Sequence, residues 1–116
     1  NPLPKLTIGG GFGKLTKLSQ GHLDLHSGRS QVDFLLLAEQ LKKLGANPQL
    51  CEQTKSANTA NEVLKLAQNS GLPLADVIAQ QACLMVRKAL RNTETQLNVL
   101  VINRQGELVG EAENES

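Results

Sequence analysis

Leu97-Asn98-Val99-Leu100-Val101-Ile102 decides how the rest of this chain is to be arranged. A strand sends alternate side chains to opposite faces, and here both sets are apolar except at Asn98. That pattern suits a central strand buried on both sides, not one with a solvated face. Arg104-Gln105-Gly106 follows as a turn, and residues 107–110 return as an antiparallel partner. The acidic residues 111–116 read as a frayed tail.

Upstream of that strand the period changes from two to helical. Ser30 is a candidate N-cap with Asp33 three residues on, and Phe34, Leu37, Ala38, Leu41 and Leu44 form an apolar stripe. Leu35 and Leu36 widen it, which predicts cover on more than one side. Lys42 and Lys43 suit the end of this helix, and Gly45 suits its C′ position. Asn47-Pro48 restarts a short helix that ends near Ser56-Ala57. Thr59-Ala60-Asn61-Glu62 matches a capping box, with Val63, Leu64 and Ala67 at helical spacing and Gly71 as terminator. Pro73 opens a last helix with the stripe Leu74, Ile78, Ala82, Met85 and Ala89. At the front, residues 3–8 read as a short strand stopped by Gly9 to Gly11, and residues 14–18 as one or two helical turns. The order strand, loop, helices, strand, strand predicts a small layered α/β domain with helices packed on a short mixed sheet.

The 116 residues suffice for one domain with a modest core. The chain opens on Asn-Pro-Leu-Pro instead of Met, so residues 1–116 are expected to be one domain of a longer protein. A net charge of +1 supplies no field for nucleic acid or a membrane surface, and Phe12 and Phe34 alone make no stacking platform. No signal peptide or apolar run of transmembrane length is visible, which makes the cytoplasm the default location. Cys51 and Cys83 lack metal or redox spacing and read as buried thiols in a reducing compartment.

Polar chemistry concentrates in residues 8–30. Glycines between a strand and a helix let backbone amides approach a phosphate or nucleotide, with Lys14 nearby for an anion. Two stricter motifs fail. A P-loop needs Gly at Ile8 and Ser or Thr at Leu15, and the dinucleotide fingerprint needs Gly at Lys14. The run Gly9-x-Gly11-x-Gly13 is therefore either a plain turn or a ligand-facing loop. His22-Leu23-Asp24-Leu25-His26 alternates between Gly21 and Gly28, so an extended backbone puts His22, Asp24 and His26 on one face. That face is open to three readings: exposed histidines, groups that move protons, or a metal site of two imidazoles and a carboxylate. Ser27-Gly28-Arg29-Ser30 is either a cap with a solvated Arg29 or an anion site at a helix mouth. Asn58-Thr59 is either a cap or a buried amide aimed at a ligand.

Together these residues resemble a family. Gly11-Phe12-Gly13-Lys14, Lys17, Gly21, His26-Ser27 and Arg29, then Ala57-Asn58-Thr59 and Glu62, are similar to the motifs of the CbiD family of cobalamin biosynthesis. Leu25 stands where the family carries Thr, and Ser19 where a small apolar residue is usual. Members are much longer, so the likeness identifies this chain with a C-terminal portion. The resemblance implies methyl transfer from S-adenosylmethionine to C1 of cobalt-precorrin-5B, giving cobalt-precorrin-6A, in the anaerobic pathway. It assigns the donor to Gly10, Gly11, Phe12, Gly13, Asn58 and Thr59. It assigns the carboxylate-rich corrinoid to Lys14, Lys17, Ser27 and Arg29, and catalysis to His26, His22 and Asp24: His22 or His26 as base for the ring proton, and Asp24 as a carboxylate that helps the sulfonium. The remainder of the same polypeptide becomes the implied partner. The rival from the residues alone is a non-enzymatic anion- or nucleotide-binding regulatory domain.

Overall fold

In the computed structural model, which describes residues 4–21, 32–90 and 94–114, the apolar hexapeptide lies in the middle strand of the sheet. The elements in chain order are β1 (Lys5–Gly11), α1 (Phe12–Ser19), α2 (Phe34–Lys43), α3 (Pro48–Lys55), α4 (Ala60–Asn69), α5 (Leu74–Leu90), β2 (Gln96–Ile102) and β3 (Leu108–Asn114). The sheet order is β1-β2-β3. β1 runs parallel to β2 with Lys5 opposite Gln96 and Gly11 opposite Ile102, and β3 runs antiparallel to β2. This is the expected mixed sheet with helices against it.

Helix ends follow the sequence signals closely. Asn47 caps α3 by accepting from the Leu50 amide at 2.8 Å, with Pro48 in the first turn. α2 and α4 both end on a residue with positive φ, Gly45 at 102° and Gly71 at 70°. Only glycine takes that conformation without strain. It lets Ala46 donate to the Leu41 carbonyl and Leu72 to the Ala67 carbonyl, so each last turn is closed by its own backbone.

Four expectations are corrected. The glycine run does not stop β1. Gly9, Gly10 and Gly11 continue it, paired with Leu100, Val101 and Ile102, because backbone pairing needs no side chain. The α2 cap is Asp33, whose carboxylate accepts from the Leu36 amide at 3.1 Å, so Asp33 sits at the helix entrance instead of its third position. Leu35 is 64% exposed, so α2 has one covered face. Residues 111–114 are not a frayed tail but the end of β3, held by Arg87 Nε and a terminal guanidinium nitrogen on the Asn114 side-chain and main-chain oxygens at 2.9 and 3.0 Å.

The core lies on one side of the sheet. Leu97, Val99 and Val101 are at most 1% exposed and join Leu74, Ile78, Ala82, Leu15, Phe12 and Val63 in one cluster. α5 packs on β3 and β2, α1 packs on α5 and α4, and α3 packs on α2. The α5–β3 seam is tight. A Cβ on Gly110 would lie 2.5 Å from the Ala75 carbonyl carbon, and the Glu111 amide donates to Asp76 Oδ1 at 2.9 Å. The last-helix stripe drifts from its expected course, because Ala89 is exposed while Ala79, Cys83 and Val86 are buried. The alternate residues of β2, Asn98, Leu100 and Ile102, are only half-buried, so the expectation of two covered faces holds for one face. No helix among the described residues is long and apolar enough to cross a membrane.

Candidate functional site at the carboxyl end of the parallel strands

In open α/β sheets ligands collect at the carboxyl ends of parallel strands. Here that end is marked by Gly11 and Ile102, which are register partners. Gly11 leads directly into α1 with extended backbone (φ −68°, ψ 158°), and no side chain caps α1. No acidic residue lies in its first turn. The first amides of α1 therefore carry the partial positive charge of a helix start, and among the described residues no carboxylate or hydroxyl is bound to them.

The start of α4 comes to the same place. A Cβ on Gly13 would meet the Ala60 Cβ at 3.8 Å, an ordinary contact, so the two helix entrances adjoin. Thr59 Oγ1 accepts from the Glu62 amide at 3.2 Å, and Glu62 Oε2 accepts from the Asn58 amide at 3.2 Å. The capping box thus reaches back one residue further than its usual form. Asn58 is exposed, not the buried amide that is one reading of this pair.

Between α4 and the β2–β3 turn lies a cleft of about 310 Å³ lined by Thr59, Asn61, Glu62, Lys65, Gln68 and the turn Asn103-Arg104-Gln105, with Leu64 at its base. That is the small end of the range for small-molecule sites. Asn103 builds the turn: its Oδ1 accepts from the Gln105 and Glu107 amides, both at 2.9 Å, and its Nδ2 donates to Glu107 Oε1 at 2.9 Å. Lys65 and Arg104 form no ion pair among the described residues, where the one such pair joins Lys55 to Glu52. Two cations, an amide-rich lining and an adjoining helix entrance can hold a carboxylate or phosphate.

The predicted residues fall into three groups. Gly10, Gly11, Gly13, Asn58 and Thr59 gather at this end of the sheet. Phe12 does too, but its side chain is 1% exposed and belongs to the core, which leaves only its main chain for a ligand. Lys14 is exposed, and its Cδ would lie 3.6 Å from a Cβ on Gly10, so its stem leans back along β1. Lys17 is half-buried one turn on. His22, Asp24, His26, Ser27, Arg29 and Ser30 lie outside the described residues. Their anchors do not: Gln20 Nε2 donates to the Asp33 carbonyl at 3.0 Å, and Gln20 Oε1 accepts from the Asp33 amide at 2.7 Å. This clasp joins the end of α1 to the entrance of α2.

Asn61, Lys65, Gln68, Arg104 and Gln105 were not read from the sequence as site residues. Helical spacing on α4 gives Lys65 and Gln68 a shared face with Glu62, but nothing local says that a turn far along the chain faces them. Cys51 and Cys83 are free thiols. Cys83 is buried between α5 and β3, its Sγ 3.8 Å from the Ala112 carbonyl. Burial pushes its pKa up, against the opposing charge of Arg87 and a backbone hydrogen bond at Val99. Among the described residues no group of three His, Cys, Asp or Glu is placed to hold a metal.

Comparison with known proteins agrees with the motifs. Residues 24–113 match the family described as CbiD, C-terminal domain. The chain is 51% identical over 112 residues to a protein of Paramagnetospirillum magneticum named cobalt-precorrin-5B C(1)-methyltransferase, covering 97% of this chain and 31% of that relative. Proteins of the same name from Rhodospirillum rubrum and a Bradyrhizobium species are 50% identical over 111 residues and 46% over 110. They are covered over 31% and 29% of their length, and 96% and 95% of this chain. No solved structure matches. The chain therefore belongs to the CbiD family and corresponds to its C-terminal domain, spanning about 31% of the length of such relatives.

Proposed function

We propose that this chain is one domain of a methyltransferase that moves a methyl group from S-adenosylmethionine to C1 of cobalt-precorrin-5B, giving cobalt-precorrin-6A. The meeting of two helix entrances with the Lys65–Arg104 cleft, at the carboxyl end of the parallel strands, carries this reading. S-adenosylmethionine, when bound, supplies a methyl group on a sulfonium. The uncapped first turn of α1, from Phe12 through Lys14, fits the carboxylate of such a donor, and the bare backbone of Gly10, Gly11 and Gly13 admits it closely. Asn58 and Thr59 border the same place. Lys14, Lys17, Ser27 and Arg29, joined now by Lys65 and Arg104, pair with carboxylates of the corrinoid. His26 or His22 takes the proton released from the ring, and the Asp24 carboxylate helps the sulfonium.

The chain alone forms one wall of the site and is inactive; the rest of the family's polypeptide supplies the other. The setting is the cytoplasm. The test is C1 methylation by the long polypeptide carrying this domain, with Arg104→Ala, Lys65→Ala and His26→Ala compared with the parent. Loss at His26 with donor binding intact supports the proton role, and parental turnover removes His26 from it. Weaker substrate binding in both cation variants, with turnover at saturation kept, supports the cleft assignment. Binding of S-adenosylhomocysteine with no methyl transfer would favour the regulatory alternative. Calorimetry of the chain alone with S-adenosylhomocysteine checks the single-wall reading, since tight binding would mean a complete pocket.

A further inference from the structure

The side of the sheet facing away from the helices carries a patch that the chemistry above does not use. Leu100 and Ile102 of β2 are half-buried there, and Leu108 beside them is 55% exposed. Ile102 is the register partner of both Leu108 and Gly11, and Leu100 is the partner of Gly9. Among the described residues, a Cβ on Gly9 would meet nothing nearer than the Leu100 carbonyl oxygen at 4.0 Å, and one on Gly11 nothing within 4 Å. The two glycines therefore leave the flank of Leu100 and Ile102 bare and flat. Exposed Lys5 and Thr7 lie at one margin and exposed Glu111 and Glu113 at the other, a polar rim around an apolar centre.

We infer that this face is the seat of the part of the family's polypeptide that precedes the C-terminal domain. Three observations select that occupant. β2 is composed as a strand covered on both faces, yet the described helices cover one. Glycines in a strand interior forfeit packing and mark places where another backbone comes close. The relatives carry more than twice this chain's length in further sequence, since the chain covers 31% of them. The inference rests on family membership and not on the reaction, so failure of the methylation assay leaves it standing.

The test is thiol labelling in a polypeptide in which this chain replaces the matching C-terminal portion of the Paramagnetospirillum magneticum relative. After Cys51→Ala, Leu108→Cys and exposed Gln53→Cys are made singly and their reaction with a maleimide is timed. Leu108→Cys is expected to react at least about tenfold more slowly than Gln53→Cys, at every protein concentration and without added ligand. Equal rates overturn the inference. Protection that grows with protein concentration assigns the face to a second copy, and protection that needs S-adenosylhomocysteine assigns it to a ligand; either result overturns it. If the chimera does not fold, the same two substitutions at the aligned positions of the relative itself decide the matter on the same terms.

Discussion

The two faces of the three-stranded sheet are built by opposite rules. On the helix side the middle strand is enclosed: Leu97, Val99 and Val101 are at most 1% exposed, and Gly110 is present because α5 leaves no room for a methyl group. On the far side Gly9 and Gly11 have open space above them, and Leu100, Ile102 and Leu108 keep part of their surface in solvent. The same residue type, glycine, thus marks closeness on one face and vacancy on the other. The difference teaches that the helix side holds the core, whereas the far side keeps an apolar centre inside a polar rim with no cover among the described residues.

The sharpest way to break this contrast is a matched pair of glycine substitutions. Gly110→Ala must displace the Ala75 backbone and is expected to cost about 3 kcal/mol, read as a lower urea midpoint, the size of a severe overpacking defect. Gly9→Ala meets open space and is expected to fall within about 0.5 kcal/mol of the parent. Equal costs would dissolve the distinction. Next comes a pair within β2. Val99→Ala removes two methyls from a fully enclosed site and is expected to cost about 2 kcal/mol. Leu100→Ala is expected to cost under about 1 kcal/mol in this chain, because its side chain keeps some water contact in the folded state. In the long polypeptide the Leu100 cost should rise toward the Val99 value.

Away from the sheet, Gln20→Ala removes both bonds to Asp33 and is expected to cost about 1 kcal/mol in thermal unfolding. The smallest effect concerns Cys83, inside the core. Its folded pKa is raised by burial, so the neutral thiol favours the folded state at any pH below the ordinary thiol pKa of 9.0. That contribution is lost as pH rises from there through the raised folded value. Cys83→Ala should therefore flatten the alkaline decline of stability, and an unchanged slope between parent and variant would assign the decline to other groups.

How much of this was legible in the sequence depended on how local the cause was. Asn47-Pro48, Thr59 with Glu62, Gly45 and Gly71 act within a few residues, and their roles were readable. Asp33 was misplaced by three residues because Ser30 and Asp33 are both good caps, and only the backbone path decides between them. Gly9 to Gly11 were read as a stop because glycine is poor in strands on average. Pairing with Leu100 to Ile102 overrode that propensity. The family, and with it the assignment of Gly10 to Gly13, Asn58 and Thr59 to one ligand, came from the resemblance of the motifs. Lys65 and Arg104 did not, since their proximity is set by sheet order, which no local pattern encodes. Gly110 looked like an ordinary strand residue because its reason for being glycine is Ala75, on another element.

The parallel pairing of β1 with β2 has a consequence for how this chain is made. Lys5 finds its partner at Gln96, so β1 leaves the ribosome long before β2, the strand it pairs with. At roughly 5–20 residues per second the wait is about 5–20 s, during which β1 lacks its β2 partner. The glycine-rich half of β1, with little apolar surface to recruit another nascent chain, makes that delay safer than a Val- or Ile-rich strand would.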